Sequence, residues 1–278
     1  MRIVNLMEDM PGHPGCLFEH GLSFYIETNA HRLLMDTGAS GAFIKNAQTL
    51  GIDLKQVDTV ILSHGHYDHA GGILPFTEQN ASAEIYMQKT AGADYYSLRE
   101  NGENYIGIDQ RILHLPKLHL VDGNMRIDEE LFLFSGITGR KFWPQSNMRL
   151  KYREEGTLVQ DTFSHEQCLV IEQDGKRILL SGCAHNGILN ILERFREIYG
   201  QAPDMVLSGF HMSKKSVYTR EEAAVIESTA RELALLPTVF YTGHCTGTQA
   251  YAIMKKIMGD RLRRIQLGEE NHCFYEEK

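Results

Sequence analysis

Val60-Ile-Leu-Ser-His-Gly-His-Tyr-Asp-His-Ala-Gly-Gly72 runs from an apolar, strand-like segment into a loop that holds His64, His66, Asp68 and His69, four metal-capable side chains within six residues. They cannot share one helical face, because positions 64, 66 and 68 alternate while 69 breaks step. On an irregular loop His64 and His66 can chelate one ion, and Asp68 and His69 then point to a second position. Imidazole and carboxylate together suit Zn²⁺, Fe²⁺ or Mn²⁺. Burying adjacent imidazoles and a carboxylate with neither cation nor partners is costly, so a metal loop is preferred to a merely polar one.

The same local device recurs three times: Leu179-Leu-Ser-Gly-Cys-Ala-His185, Val206-Leu-Ser-Gly-Phe-His211 and Val239-Phe-Tyr-Thr-Gly-His244. Each puts a histidine just past a buried strand, beside glycine or serine that permits a tight turn. Strand ends of one sheet lie close together, so the four loops are expected to converge on one cleft.

Outward from these points the chain alternates short β-rich runs with amphipathic helices. Strands are expected at Ser23–Ile26, Leu33–Asp36, Val57–Leu62, Glu84–Met87, Leu131–Phe134, Leu169–Glu172, Arg177–Leu180, Met205–Leu207, Val239–Tyr241 and Arg264–Leu267. Helices are expected from Ser40 to Leu50, from Ile188 to a stop at Gly200, from the Thr219/Glu222 capping box to near Leu236, and from Thr248 to Met258. No linker or repeat interrupts the 278 residues, which read as a single domain over 1–278. Residues from about 90 to 160 are less periodic and rich in Tyr and Trp. They read as an insertion that covers a substrate, its tyrosines and Trp143 either stacking on a planar ring or packing among themselves.

Composition narrows the function classes. The 28 Lys+Arg against 36 Asp+Glu give a net charge of −8, which argues against a nucleic-acid or anionic-membrane partner held by bulk charge. Thirteen histidines stand beside five scattered cysteines, Cys16, Cys168, Cys183, Cys245 and Cys273, with no CxxC pair; a reduced, cytoplasmic chain is expected. The acidic N-terminal stretch does not read as a signal peptide, and no apolar run approaches the ~20 residues that span a bilayer.

With these residues in view, the sequence resembles the metallo-β-lactamase superfamily, whose signature is HxHxDH after a buried strand. Leu33-Leu-Met-Asp-Thr-Gly38 resembles its first motif. Glu19-His-Gly-Leu-Ser23, Gly182-Cys-Ala-His-Asn-Gly-Ile188, Gly209-Phe-His211 and Gly243-His-Cys-Thr-Gly247 are similar to the (dihydropterinyl)methyl-(ribofuranosyl)aminobenzene-phosphate synthase-like branch. The resemblance implies an α/β, four-layer αβ/βα sandwich: two mixed β-sheets face to face, flanked by helices, with a metal site along one edge. It implies two divalent ions, Zn²⁺ ahead of Fe²⁺ or Mn²⁺, with His64 and His66 at the first, Asp68 and His69 at the second, and His185 and His244 completing the set. Asp36 and Cys183 would support the ligands from behind. Many members carry a histidine about twenty residues before an Asp or Cys at a strand end. Here His165 lies eighteen residues before Cys183, so a second assignment uses His165 and Cys183 in place of His185.

The chemistry this implies is attack by metal-activated hydroxide on an electrophilic centre, with Asp68 orienting the nucleophile and His211 contacting substrate or protonating the leaving group. A phosphorylated or diphosphate substrate, pterin-like or otherwise, is suggested by three cues. Asn186 and Gly187 open one helix and Thr246 precedes another, where backbone N–H groups favour anions, and Lys214 follows His211. The expected partner is that small molecule, with neither nucleic acid nor membrane; a homo-oligomer is compatible with the chain. Two other readings are an acyl hydrolase for thioesters or lactones at the same site, and a metal-bound ligand sensor without turnover. A flavodiiron role is disfavoured by His66 at the second motif position, and an RNA-processing nuclease by the acidic balance.

Overall fold

The structure, a computed structural model, describes residues 1–272, so Cys273 lies outside the described residues. Two seven-stranded mixed sheets form its centre. The first runs Glu270–His272, Arg2–Met7, Ser23–Glu27, Arg32–Met35, Thr59–Ile61, Glu84–Gln88 and Leu118–Val121; the second runs Leu262–Arg264, Val239–Thr242, Met205–Gly209, Lys176–Cys183, Cys168–Gln173, Leu131–Phe134 and Met125–Arg126. Each sheet is antiparallel at one side and parallel at the other.

Strand alternation divides the apolar residues into layers. Leu33, Met35 and Ile61 of the first sheet meet Leu169, Ile171, Ile178 and Leu180 of the second in a core between the sheets. Their neighbours Leu34 and Val60 face outward onto the helix Ala42–Thr49, while Val170 and Leu179 face the helices Ile188–Tyr199, Arg220–Ala234 and Thr248–Met258. At roughly 1.5–3 kcal/mol for each fully buried aliphatic side chain, these three apolar layers hold the sandwich together. The four expected helices are present within a few residues. Gly200 ends the first long one at φ 72°, and Thr219 with Glu222 forms both halves of the capping box.

The expected insertion is smaller than residues 90–160. Leu118–Val121, Met125–Arg126 and Leu131–Phe134 belong to the two main sheets. What remains is a lid of two hairpins, Tyr95–Arg99 with Gly102–Tyr105 and Leu150–Glu154 with Thr157–Gln160, joined through Leu150–Tyr152 and Tyr95–Ser97. Glu155 and Gly156 turn the second hairpin at φ 49° and 82°, the positive pair that matches strand twist. Tyr95, Ile106, Leu150 and Phe163, with Trp143 and Tyr152 against them, make a separate small core. The lid aromatics therefore pack among themselves; Tyr67 is the tyrosine that lines the main cleft. Arg2–Met7 was not expected as a strand, and the last expected strand lies earlier, at Leu262–Arg264.

Candidate metal centre

Parallel pairing of Leu34 with Val60 and Met35 with Ile61 brings Asp36 and Ser63 together at adjacent strand ends. The buried Asp36 carboxylate accepts from Ser63 N–H at 2.7 Å, from Ser63 Oγ–H at 2.7 Å and from His69 Nδ1 at 2.7 Å. Because the Ser63 hydroxyl donates to Asp36, His64 Nδ1–H must donate to it, at 2.8 Å. His185 Nδ1 likewise faces Asn147 Oδ1 at 3.2 Å. Each partner fixes its imidazole with the proton on Nδ1 and leaves an Nε2 lone pair free, the arrangement that orients metal-ligating histidines.

The second sheet reaches this network through a bulge between Ser181 and Cys183. Only glycine fits at 182: a Cβ there would lie 2.8 Å from Asp36 Oδ2 and collide with Ser63 Oγ. Cys183 Sγ consequently sits 3.3 Å from His69 Nε2. It is common to three compact groups, His64/Cys183/His185, His69/Cys183/His244 and Cys183/His211/Cys245, the donor atoms of each lying within 4.8 Å of one another. His66 adjoins the first, its ring 4.6 Å from that of His64 and 4.9 Å from that of His185.

Asp68, on the single helical turn Tyr67–Ala70, joins the second group. Its Oδ2 is 3.6 Å from His69 Nε2, 3.5 Å from His244 Nε2 and 3.3 Å from His20 Nε2. His244 is held by Asp9, which accepts from its Nδ1 at 2.6 Å, and by Glu8, which accepts from its backbone N–H. Asp9 also accepts from His20 Nδ1 at 2.9 Å, and His20 stacks on His244 at 4.9 Å. His20, Asp9 and Glu8 were not among the expected site residues. The motif Glu19-His-Gly-Leu-Ser23 was the available signal, with nothing local to tie it to position 244.

The charges are those of a cation site. Burial, then the surrounding imidazoles, holds His64 and His185 well below the usual histidine range and brings His66 to about 3. All three are neutral at pH 7. Burial pushes the Asp68 carboxyl upward, but His69, His244 and His20 outweigh it and hold Asp68 below the usual range. Burial lowers His244, but Asp68 and Asp9 outweigh it and raise it. The donors fit a divalent ion on a further observation. The lone pairs of His64 Nε2 and His185 Nε2 face each other at 3.2 Å, and His66 Nε2 is buried with no hydrogen-bond partner among the described residues. Opposed lone pairs and an orphaned nitrogen are unfavourable in a dry interior unless a cation engages them.

Several expected roles change. His165 Nδ1 accepts from Gly65 N–H at 2.9 Å and its Nε2–H donates to Asp161 at 3.1 Å. Both nitrogens are thus engaged in supporting the His64–His66 loop, and His66, Asp161 and His165 lie close together. Asn186 and Gly187 do not offer an anion site. The Asn186 N–H and Nδ2 both donate to buried Glu166, and Gly187 N–H donates to Ala184 O. Thr246 is buried, accepting from Phe210 N–H and bonded to Thr242. Neither Asn186, Gly187 nor Thr246 lines the cleft. Lys214 does, but its ammonium is paired with Glu222 at 2.7 Å. His211 also lines the cleft, its ring 4.1 Å from that of His185 and within reach of the Cys183 and Cys245 sulfurs.

Glu166 is a buried group the sequence reading passed over. Burial raises its pKa from the usual 4.5 to about 7, against the N–H donors of Asn186 and His185. Folding thus favours its neutral form. The stability it contributes is complete below about pH 4.5 and is lost as pH rises through 7, up to about 3 kcal/mol. With chelator present, the wild-type urea midpoint should fall between pH 5 and 8, and Glu166→Gln should flatten that slope. Parallel slopes for the two proteins would show that Glu166 titrates as an ordinary carboxyl.

The comparisons agree with this architecture. Residues 17–144 match the family model of the metallo-beta-lactamase superfamily. The crystal structure of Tm1679, described as a metal-dependent hydrolase of the β-lactamase superfamily, superposes with a TM-score of 0.81 at 31% identity, over 98% of each chain. Two proteins of Methanocaldococcus jannaschii are each 27% identical. One is uncharacterised and matches over 92% of this chain and 94% of its own; the other is 7,8-dihydropterin-6-methyl-4-(β-D-ribofuranosyl)-aminobenzene-5'-phosphate synthase, over 97% and 95%. No helix among the described residues is long and apolar enough to cross a membrane. A sandwich whose sheet edges gather His64, His66, Asp68, His69, His185 and His244, matched end to end by Tm1679, belongs to the metallo-β-lactamase superfamily.

Proposed function

We propose that the protein is a metal-dependent hydrolase, or a related transferase, acting on a small phosphorylated or diphosphate substrate. The observation that carries the reading is the pair of donor groups His64/Cys183/His185 and His69/Cys183/His244 at the base of a cleft of about 900 Å³. His64, His66 and His185 would hold one divalent ion and Asp68, His69 and His244 a second, with Cys183 within reach of both groups. Bound divalent ions supply Lewis acidity and acidify water towards neutral pH. Asp36 and Asn147 hold the ligand imidazoles in the Nδ1–H tautomer, and Asp9 orients His244. Asp68, kept ionised by His69, His244 and His20, accepts a hydrogen bond from the attacking nucleophile and aims it. His211, which lines the cleft with its ring beside that of His185, meets the substrate and donates a proton to the leaving oxygen. The phosphorylated class is supported by Lys215 beside Ser213 in the cleft wall and by the likeness to a protein named as an aminobenzene-phosphate synthase.

The test is metal content by mass spectrometry together with a screen of phosphomonoesters, phosphodiesters, diphosphates, acyl thioesters and lactones. Near two equivalents of metal and chelator-sensitive turnover of a phosphorylated compound are expected. Turnover confined to thioesters or lactones would replace this reading by acyl hydrolysis. Tight ligand retention without product would replace it by sensing.

A further inference from the structure

Most arginines near the cleft are already engaged. Arg140 donates to the carbonyls of Ile137 and Gly139 and to Asn186, and Arg153 pairs with Glu103 at 2.6 Å over the Tyr96 ring. Arg99 and Arg149 differ. Both line the cleft, and neither guanidinium has a hydrogen bond or an ion pair to any described residue. Glu100 shares the rim and is paired with neither.

Their placement is built by the lid. Arg99 ends the strand Tyr95–Arg99, and Arg149 ends the turn Gln145–Arg149, directly before the strand Leu150–Glu154. Leu150 pairs with Ser97, so the two arginines stand at the same end of the hairpin junction. They are close enough for Arg99 to depress the pKa of Arg149, after the larger effect of burial. Like charges held together with no protein counter-charge are a standing cost, recovered when an anion enters between them. Two cations are best neutralised by a dianion, and planar guanidinium forks match phosphate oxygens. The Ser213–Ser216 segment, with Lys215, lines the same cleft.

We propose that Arg99 and Arg149 form a clamp for a phosphate monoester dianion of the substrate, held against the lid. The proposal rests on the reading above that the metal centre serves a phosphorylated molecule, and it assigns the recognition of that group to the lid rather than to Asn186, Gly187 or Thr246. It also gives the hairpins a function, since without them neither arginine would reach the cleft.

The experiment is calorimetric titration of the metal-loaded full chain with phenylphosphonate, a dianion that cannot be hydrolysed at phosphorus as an ester, and with singly charged benzoate. Wild type should bind phenylphosphonate at least about tenfold more tightly than benzoate. Arg99→Gln and Arg149→Gln should each weaken phenylphosphonate binding by about tenfold or more, with metal content and thermal midpoint unchanged, and Arg149→Lys should recover part of the loss. Unchanged binding in both Gln variants would overturn the clamp and leave the phosphorylated-substrate reading standing. Failure of wild type to bind, or equal binding of benzoate, would overturn the clamp as well. Arginine-dependent binding in a protein that turns over no phosphorylated compound would keep the clamp and sink the proposed hydrolysis.

Discussion

Asp36→Ala is expected to lower stability by about 3–5 kcal/mol and to abolish high-affinity metal binding, because it strips a buried carboxylate from three donors at once. Ser63 N–H, Ser63 Oγ–H and His69 Nδ1–H would be left in a site that water does not reach, at about 1–3 kcal/mol for each unsatisfied group. Against a typical domain stability of roughly 5–15 kcal/mol, that is a large fraction. Asp36→Asn separates the two effects. The amide oxygen can still accept from Ser63, but its NH₂ opposes His69 Nδ1–H and drives the His69 proton to Nε2, the nitrogen that faces Cys183. The Asp36→Asn protein should therefore keep most of its urea midpoint and lose metal. A metal content equal to wild type in this variant would show that the carboxylate is structural only.

The second large effect is expected at the donors themselves. Asp68→Ala should bring bound metal from near two equivalents to near one, and His185→Ala should lower it too, each with turnover reduced at least about 10²-fold. Both side chains are buried, but removing His185 relieves the opposition of His64 Nε2 and His185 Nε2, whereas removing Asp68 leaves the raised charge of His244 without that partner. Chelated His185→Ala protein is thus expected to be no less stable than chelated wild type by more than about 1 kcal/mol, while the metal-loaded forms differ strongly. Near one equivalent in wild type, unmoved by Asp68→Ala, would leave a mononuclear site at His64, His66 and His185.

The sequence carried the strand runs and the four histidine loops because both are written in local patterns, while the sandwich followed from the resemblance that the HxHxDH segment and its companion motifs carry. Buried parallel strands read as short apolar runs, and a histidine just past each of four such runs is placed at a strand's carboxyl end. Lone strands escaped where their character comes from neighbours: Arg2–Met7 contains Asn5, which is tolerable inside a sheet because its amide donates to Met7 O and Ser23 O.

What local spacing could not decide was who pairs with whom across the chain. Asp9 reaches His244 over 235 positions, His165 is spent on Gly65 over 100, and Glu166 takes the N–H of His185 and Asn186 that a helix start alone would have offered to an anion. Lys214 is neutralised by Glu222, whereas Arg99 and Arg149 have no ion pair among the described residues because the lid places no acid against them. A side chain's type and its place on a strand or loop follow from the sequence by itself. Whether its hydrogen bonds and charge are already satisfied is a property of the tertiary structure, since burial makes every polar group depend on the partner that folding brings to it.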